Sequence, residues 1–287
     1  MLSRKRFFKQ AALTASGLLA GPALLEAAEY FNPLRLTVLH TNDTHSRLEP
    51  FPMDGGRNQG LGGIAARARL ISQVRQEEEQ VLLLDAGDIF QGTPYFNIYK
   101  GEPEIKAMTL LGYDACTIGN HDFDAGMENL AAQLTNHARF PMLVCNYDFS
   151  GTPMENKTEP YRIIRKGKLT VGLLGVGIEG KGLIPDNLFG KTQYLDPVQK
   201  ANETAELLRK KKNCDLVICL SHLGNQYKGS DKVSDEILAR ESEHIDLIIG
   251  GHTHTFLDQP LVYKNKNGGD VVVNQVGFAG LILGRLD

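Results

Sequence analysis

Four cysteines in 287 residues, none in a C-x-x-C pair, are too few and too scattered for a disulfide scaffold or a cysteine-ligated zinc. Cys145 and Cys219 lie inside apolar runs, the ordinary setting of a small buried residue, and no chemistry is assigned to them or to Cys116 and Cys214. An excess of positive charge is missing too. With 31 basic and 34 acidic residues the net charge is −3, which lacks the electrostatic footprint of a nucleic-acid binder. No internal repeat or low-complexity linker interrupts the chain, and 42% hydrophobic with 23% charged residues is a globular balance that excludes disorder. Nor is any apolar run long enough to cross a bilayer: residues 11–25 are uncharged, but 15 residues fall short of the roughly 20 required.

That stretch reads instead as the apolar part of an export signal, preceded by basic Arg4, Lys5, Arg6 and Lys9 and broken by Gly21 and Pro22. Residues 3–9 resemble the twin-arginine consensus with Lys5 in the second arginine position, so the Sec and twin-arginine routes both stay open. Small residues at 21–23 offer one cleavage point, Glu26 disfavours another after Ala28, and no cysteine is placed to carry a lipid. Residues 1–28 are therefore expected to be removed on export. A periplasmic or extracellular protein of net charge −6, with no membrane span, would remain.

Short apolar runs then alternate with helical patterns. Residues 34–39, 81–84, 115–118, 142–145, 169–176, 216–220 and 247–249 are rich in branched aliphatics, each stops at Gly, Asn, Asp or His, and they read as buried strands. Residues 63–78, 104–111, 127–137, 197–212 and 235–242 carry the wider spacing of helices. The class is α/β, as one domain over residues 31–287. Late runs at 261–263, 271–275 and 281–286 come without long helices, so they are expected to pair antiparallel in a second sheet packed on the first.

The chemistry lies where the strands stop. Five runs hand over to polar clusters: Asn42-Asp43-Thr44-His45, Gly87-Asp88, Gly119-Asn120-His121-Asp122, Ser221-His222 and Gly250-Gly251-His252-Thr253-His254. Ligands of α/β sheets gather at the carboxyl ends of strands. Asp43 and His45 are two residues apart, as are His252 and His254, and in extended chain that spacing turns both side chains to one side. Taken singly, each cluster could be a turn, a helix cap or a satisfied histidine. Together they concentrate five of the eight histidines, and they combine oxygen and imidazole donors without thiolate, which suits Mn, Zn, Fe, Co or Mg. Seven donors exceed one ordinary ion. Two ions about 3.5–4 Å apart need a shared carboxylate, and Asp88, central in the series, is the natural bridge.

In this order, Asp43-x-His45, Gly87-Asp88, Gly119-Asn120-His121-Asp122, His222 and Gly251-His252-x-His254 resemble the calcineurin-like metallophosphoesterase superfamily. The wording LHTNDTHSRLEP, GDIFQGTP and GNHDFDAG is similar to the catalytic domain of bacterial 5'-nucleotidases and related UDP-sugar hydrolases and 2',3'-cyclic phosphodiesterases, over residues 34–287. The resemblance implies a four-layer α-β-β-α sandwich with two central mixed sheets and a dinuclear metal site at the strand carboxyl ends. It implies that Asp43, His45, Asp88 and His254 hold one divalent ion and that Asp88, Asn120, His222 and His252 hold the other. His121 and Asp124 would form the catalytic dyad, and Asn120 and His121 would contact the substrate phosphate. His40 is expected to give a supporting hydrogen bond or to pack in the core.

Two divalent ions bring about +4, and Asp43, Asp88 and a bridging hydroxide return about −3, which leaves the site attractive to a phosphate ester. The expected function is an exported phosphohydrolase of the 5'-nucleotidase type, using in-line attack by that hydroxide on a nucleotide or other phosphate ester. The alternatives are a broad phosphomonoesterase or cyclic phosphodiesterase acting alone, and a non-catalytic metal-binding subunit, which retention of both His121 and Asp124 argues against. The chain stops at residues 284–287, where the resembling nucleotidases would continue into a C-terminal substrate domain. A separately encoded chain resembling that domain is expected to supply the nucleoside pocket, with Tyr227, Phe256 and Phe278 packing rather than binding base.

Overall fold

Strands that are apolar on both faces need cover on both faces, and the protein supplies it with two stacked sheets and helices outside each. The computed structural model describes residues 34–287, and the expected export signal lies outside the described residues. In the first sheet β1 (Thr37–Thr41), β2 (Val81–Asp85), β3 (Ala115–Thr117) and β4 (Met142–Leu143) run parallel, with β13 (Gly284–Leu286) antiparallel beside β1. In the second, β7 (Leu169–Val176), β9 (Leu216–Ser221), β10 (Leu247–Gly250) and β12 (Asp270–Asn274) run parallel. Their antiparallel edges are β6 (Tyr161–Lys166) and β11 (Leu261–Lys264). A short ladder joins β5 (Tyr147–Asp148) to β8 (Gln193–Tyr194).

Alternate side chains of one strand enter different cores. Leu82 and Leu84 of β2, with Ile218 and Leu220 of β9, fill the space between the sheets. Leu83 packs with Ile71 of α1 (Ile64–Glu77), Ile105 of α3 (Glu102–Leu111) and Leu130 of α4 (Met127–His137), beyond α2 (Pro94–Tyr99). On the far side Val217 and Cys219 join Ala201 of α6 (Pro197–Glu206) and Leu238 of α7 (Asp235–Glu241), past α5 (Asp186–Phe189). Three apolar layers thus separate four layers of secondary structure. The helix expected over 197–212 is α-helical to Glu206 and then widens into a π turn, Leu207–Lys211. All four cysteines are free thiols, and burial pushes Cys145 up to about 12. Among the described residues no helix is long and apolar enough to cross a membrane.

The late strands correct the expectation of an antiparallel set in one added sheet. Asp270–Asn274 pairs parallel with β10, Leu261–Lys264 turns back antiparallel on it, and Gly284–Leu286 returns to the first sheet beside β1. The reason is topological: the chain crosses back along β11 before β12, so β12 runs with β10.

His40, in β1, is fully buried, and Asn274 Nδ2 of the other sheet donates to its Nε2 at 3.0 Å. Burial lowers its pKa from 6.5 to about 4, so the unfolded chain takes up a proton that the native ring refuses. The stability contributed by neutral His40 is therefore complete above pH 6.5 and is lost as pH falls toward 4, about 2 kcal/mol of it by pH 5. In chelator, the urea midpoint of wild type should fall more between pH 7.5 and 5 than that of His40→Gln. Parallel pH profiles would show that the ring is not held neutral.

Candidate metal centre

The donors sit on the loops that leave β1, β2, β3, β9 and β10, so the centre draws on both sheets. Asp43, His45, Asp88, His252 and His254 all have left-handed backbone, with φ of 48, 47, 55, 72 and 51°. For residues with a Cβ this costs on the order of 1 kcal/mol or more each, so the surroundings must impose it. A ladder between loops does so: the Asp43, His45 and Ser46 N–H groups donate to the carbonyls of Gly87, Asp88 and Ile89 at 2.8, 3.0 and 2.8 Å. Asp122 accepts from the N–H groups of Gly119, Asp88, Ile89 and Phe90 at 2.8 to 3.2 Å and so pins the Asp88 turn. At 119 only glycine fits, because a Cβ would lie 2.2 Å from Asp88 Oδ1.

Two groups of donors converge. In one, Asp43, His45 and His254 bring ligand atoms within 4.8 Å of one another, and in the other Asp88, His222 and His252 do the same. His45 Nε2 and His254 Nε2 are 3.0 Å apart, and His254 Nε2 is 3.4 Å from Asp43 Oδ1. Asp88 Oδ2 lies 3.1 Å from His222 Nε2 and 3.9 Å from His45 Nε2, which places it between the groups. Asn120 Oδ1 is 2.8 Å from His252 Nδ1. His121 Nδ1 donates to Asp124 Oδ2 at 2.8 Å, its side chain 39% exposed, and its ring lies 5.4 Å from that of His45.

The family model for the calcineurin-like phosphoesterase matches residues 36–256. The chain belongs to this family of metal-dependent phosphoric ester hydrolases. Among its relatives, the snake venom 5'-nucleotidase of Gloydius brevicauda is 35% identical over 271 residues, 88% of this chain and 45% of that protein. The 5'-nucleotidase of Vibrio cholerae is 36% identical over 276 residues, 91% and 48% of the two chains. A solved 5'-nucleotidase precursor from Thermus thermophilus superposes with a TM-score of 0.78 at 35% identity, covering 87% of this chain and 50% of that one. The chain thus spans about half the length of the relatives it matches.

The donor chemistry of this phosphoesterase fits divalent ions. Two imidazole nitrogens facing each other at 3.0 Å can share one proton or one cation, and His222 Nε2 is buried with no well-aligned hydrogen bond although Asp88 is close. The field demands positive charge there. Burial disfavours an imidazolium at His222, yet Asp88 and Asp43 push it up to about 10. Burial likewise acts to raise Asp88, but His222, His45 and His121 hold it below the carboxylate range. A proton serves this demand in the metal-free protein, and a cation between the same atoms would serve it better. His222 Nδ1 bonds the Ala86 carbonyl at 2.6 Å, which leaves Nε2 as the ligand atom, and His45 Nδ1 meets the Phe90 carbonyl at 3.2 Å to the same effect.

All nine residues assigned from the sequence to metal binding or catalysis lie at this end of the sheets. His40 contacts Asn274 rather than a donor. Tyr227 donates to the Leu223 carbonyl at 2.7 Å, whereas Phe278 stacks on the His254 ring at 5.1 Å, with Phe256 edge-on to it at 6.0 Å. Sequence reasoning gave no role to Asp122 and Asn42 and overlooked Gln275. The only sign of Gln275 is a polar residue that closely follows the run Val271-Val272-Val273.

Proposed function

We propose that the protein is an exported phosphomonoesterase of the 5'-nucleotidase type. The observation that carries this reading is the His121–Asp124 pair at 2.8 Å, half-exposed beside two donor groups with Asp88 of the second reaching toward His45 of the first. Asp43, His45, Asp88 and His254 would hold one divalent ion, and Asp88, Asn120, His222 and His252 the other. Bound ions would supply Lewis acidity and a nucleophile from water near neutral pH. The protein's own part is orientation and proton handling. Asp124 engages Nδ1 of His121, which leaves Nε2 as the atom that can offer a proton to substrate, and that bond raises the His121 pKa against the opposing effect of burial. An imidazolium so held can stabilise a phosphoryl oxygen or protonate the departing alkoxide. Asn120 contributes a neutral amide, which preserves the positive excess that attracts the substrate phosphate. Relatives named 5'-nucleotidase and a structural neighbour named NAD nucleotidase, from Haemophilus influenzae at 28% identity, support a nucleotide substrate.

Recognition by metal donors and His121 discriminates little between leaving groups. The purified chain, assayed with Mn, Zn, Co and Mg, should therefore hydrolyse AMP and an aryl phosphate with kcat/KM values within about tenfold of each other. A much larger preference for AMP would show that the chain holds a nucleoside pocket and needs no separate partner. Preference for a 2',3'-cyclic nucleotide would favour the diesterase reading, and no turnover with any metal would sink the proposal.

A further inference from the structure

One side chain holds the loop that carries His252 and His254. Gln275 follows β12 and is fully buried. Its Oε1 accepts from the Thr255 N–H at 2.5 Å and the Thr253 hydroxyl at 3.0 Å, and its Nε2 donates to the Gly251 carbonyl. These bonds bracket both histidines, whose left-handed backbones persist only if the surroundings over-determine them. The residues after Gln275 reach the other sheet. Val276 N–H donates to Asn42 Oδ1 at 3.0 Å, and Asn42 Nδ2 donates at 2.6 Å to both the Gly277 carbonyl and Asp43 Oδ2. Ala279 N–H donates to the Asp43 carbonyl at 2.7 Å, and Asp43 itself accepts from the His252 N–H at 3.0 Å. Residues 275–279 are thus a strap between the two loops that supply one donor group, Asp43 and His45 on one side and His254 on the other.

We propose that Gln275 is a positioning residue for the metal centre, setting His252 and His254 against Asp43 so that ions meet donors already in place. This rests on the two-ion reading above. Gln275 acts through backbone, because its partners flank the two imidazoles. Without it the Thr255 N–H loses its partner and the Gly251 carbonyl keeps only the Thr253 N–H at 2.9 Å, and the loop can relax away from the geometry that faces Asp43.

The test is Gln275→Met, which keeps side-chain length and removes all three hydrogen bonds. Metal-free protein titrated with Mn²⁺ against a chelating dye should bind about 10- to 100-fold more weakly than wild type. Saturating Mn²⁺ should restore most of kcat, with substrate KM little changed. Wild-type Mn²⁺ affinity in the folded variant overturns the inference, because bonds that serve only the fold would lower the melting temperature and leave affinity alone. If Gln275→Met does not fold, Gln275→Glu decides, since it keeps both acceptor contacts but sets a carboxylate oxygen against the Gly251 carbonyl where an N–H donated: weaker Mn²⁺ binding supports the role, and unchanged or tighter binding overturns it. Wild-type protein that binds no Mn²⁺ would instead overturn the metal reading itself, and this inference with it.

Discussion

Asp88→Ala should bind neither ion at native occupancy and should hydrolyse phosphate esters roughly 10⁴-fold more slowly, because in the proposed two-ion centre its carboxylate would serve both ions. Its Oδ2 lies 3.1 Å from His222 and 3.9 Å from His45, while Oδ1 accepts from the His121 N–H at 2.8 Å. Removing it deprives the buried His222 imidazole of its nearest negative charge and frees the turn that carries His121. Asp88→Asn separates these effects. The amide oxygen can still accept from His121, so the turn should survive while the charge that draws cations is gone. Metal content after dialysis, read beside the circular dichroism spectrum, is the measurement. Two ions retained by a folded Asp88→Ala would disprove the bridging role.

His121→Ala should behave in the opposite way, with both ions retained and kcat reduced by about 10²- to 10⁴-fold at nearly unchanged KM. His121 belongs to neither donor group, and its Nδ1 is engaged by Asp124, which leaves Nε2 free to face substrate. Asp124→Asn should lose less, since the ring remains but its orientation and its hold on the proton weaken. Loss of an ion from His121→Ala would reassign the imidazole as a ligand.

The strands are legible in the sequence because both sheets are covered on both faces, so most inner strands read as apolar runs. The same continuity hides the pairing. Nothing in Val271-Val272-Val273 distinguishes a parallel neighbour of β10 from a member of a separate antiparallel sheet, and the order of crossing, which decides it, is a property of the whole chain. The edge strand β6 escaped notice for another reason: Arg162, Arg165 and Lys166 break its apolar pattern, as charge commonly does on exposed edges. The donors are legible because each directly follows a strand and carries its own chemistry. Asp122, Asn42 and Gln275 work by pairing with backbone groups of distant loops, and a sequence does not show which N–H will lie beside which side chain.

His45 and His254 meet at 3.0 Å although 209 positions separate them along the chain. A cation that joins them closes a very long loop, which the unfolded chain forms only at a large entropic cost. Donors on the loops after β1 of one sheet and β10 of the other cannot preassemble while the polypeptide is still emerging, so capture of an ion between them would follow the docking of the two sheets. In the proposed two-ion centre, the ion acquired would therefore be drawn from the solution in which folding finishes.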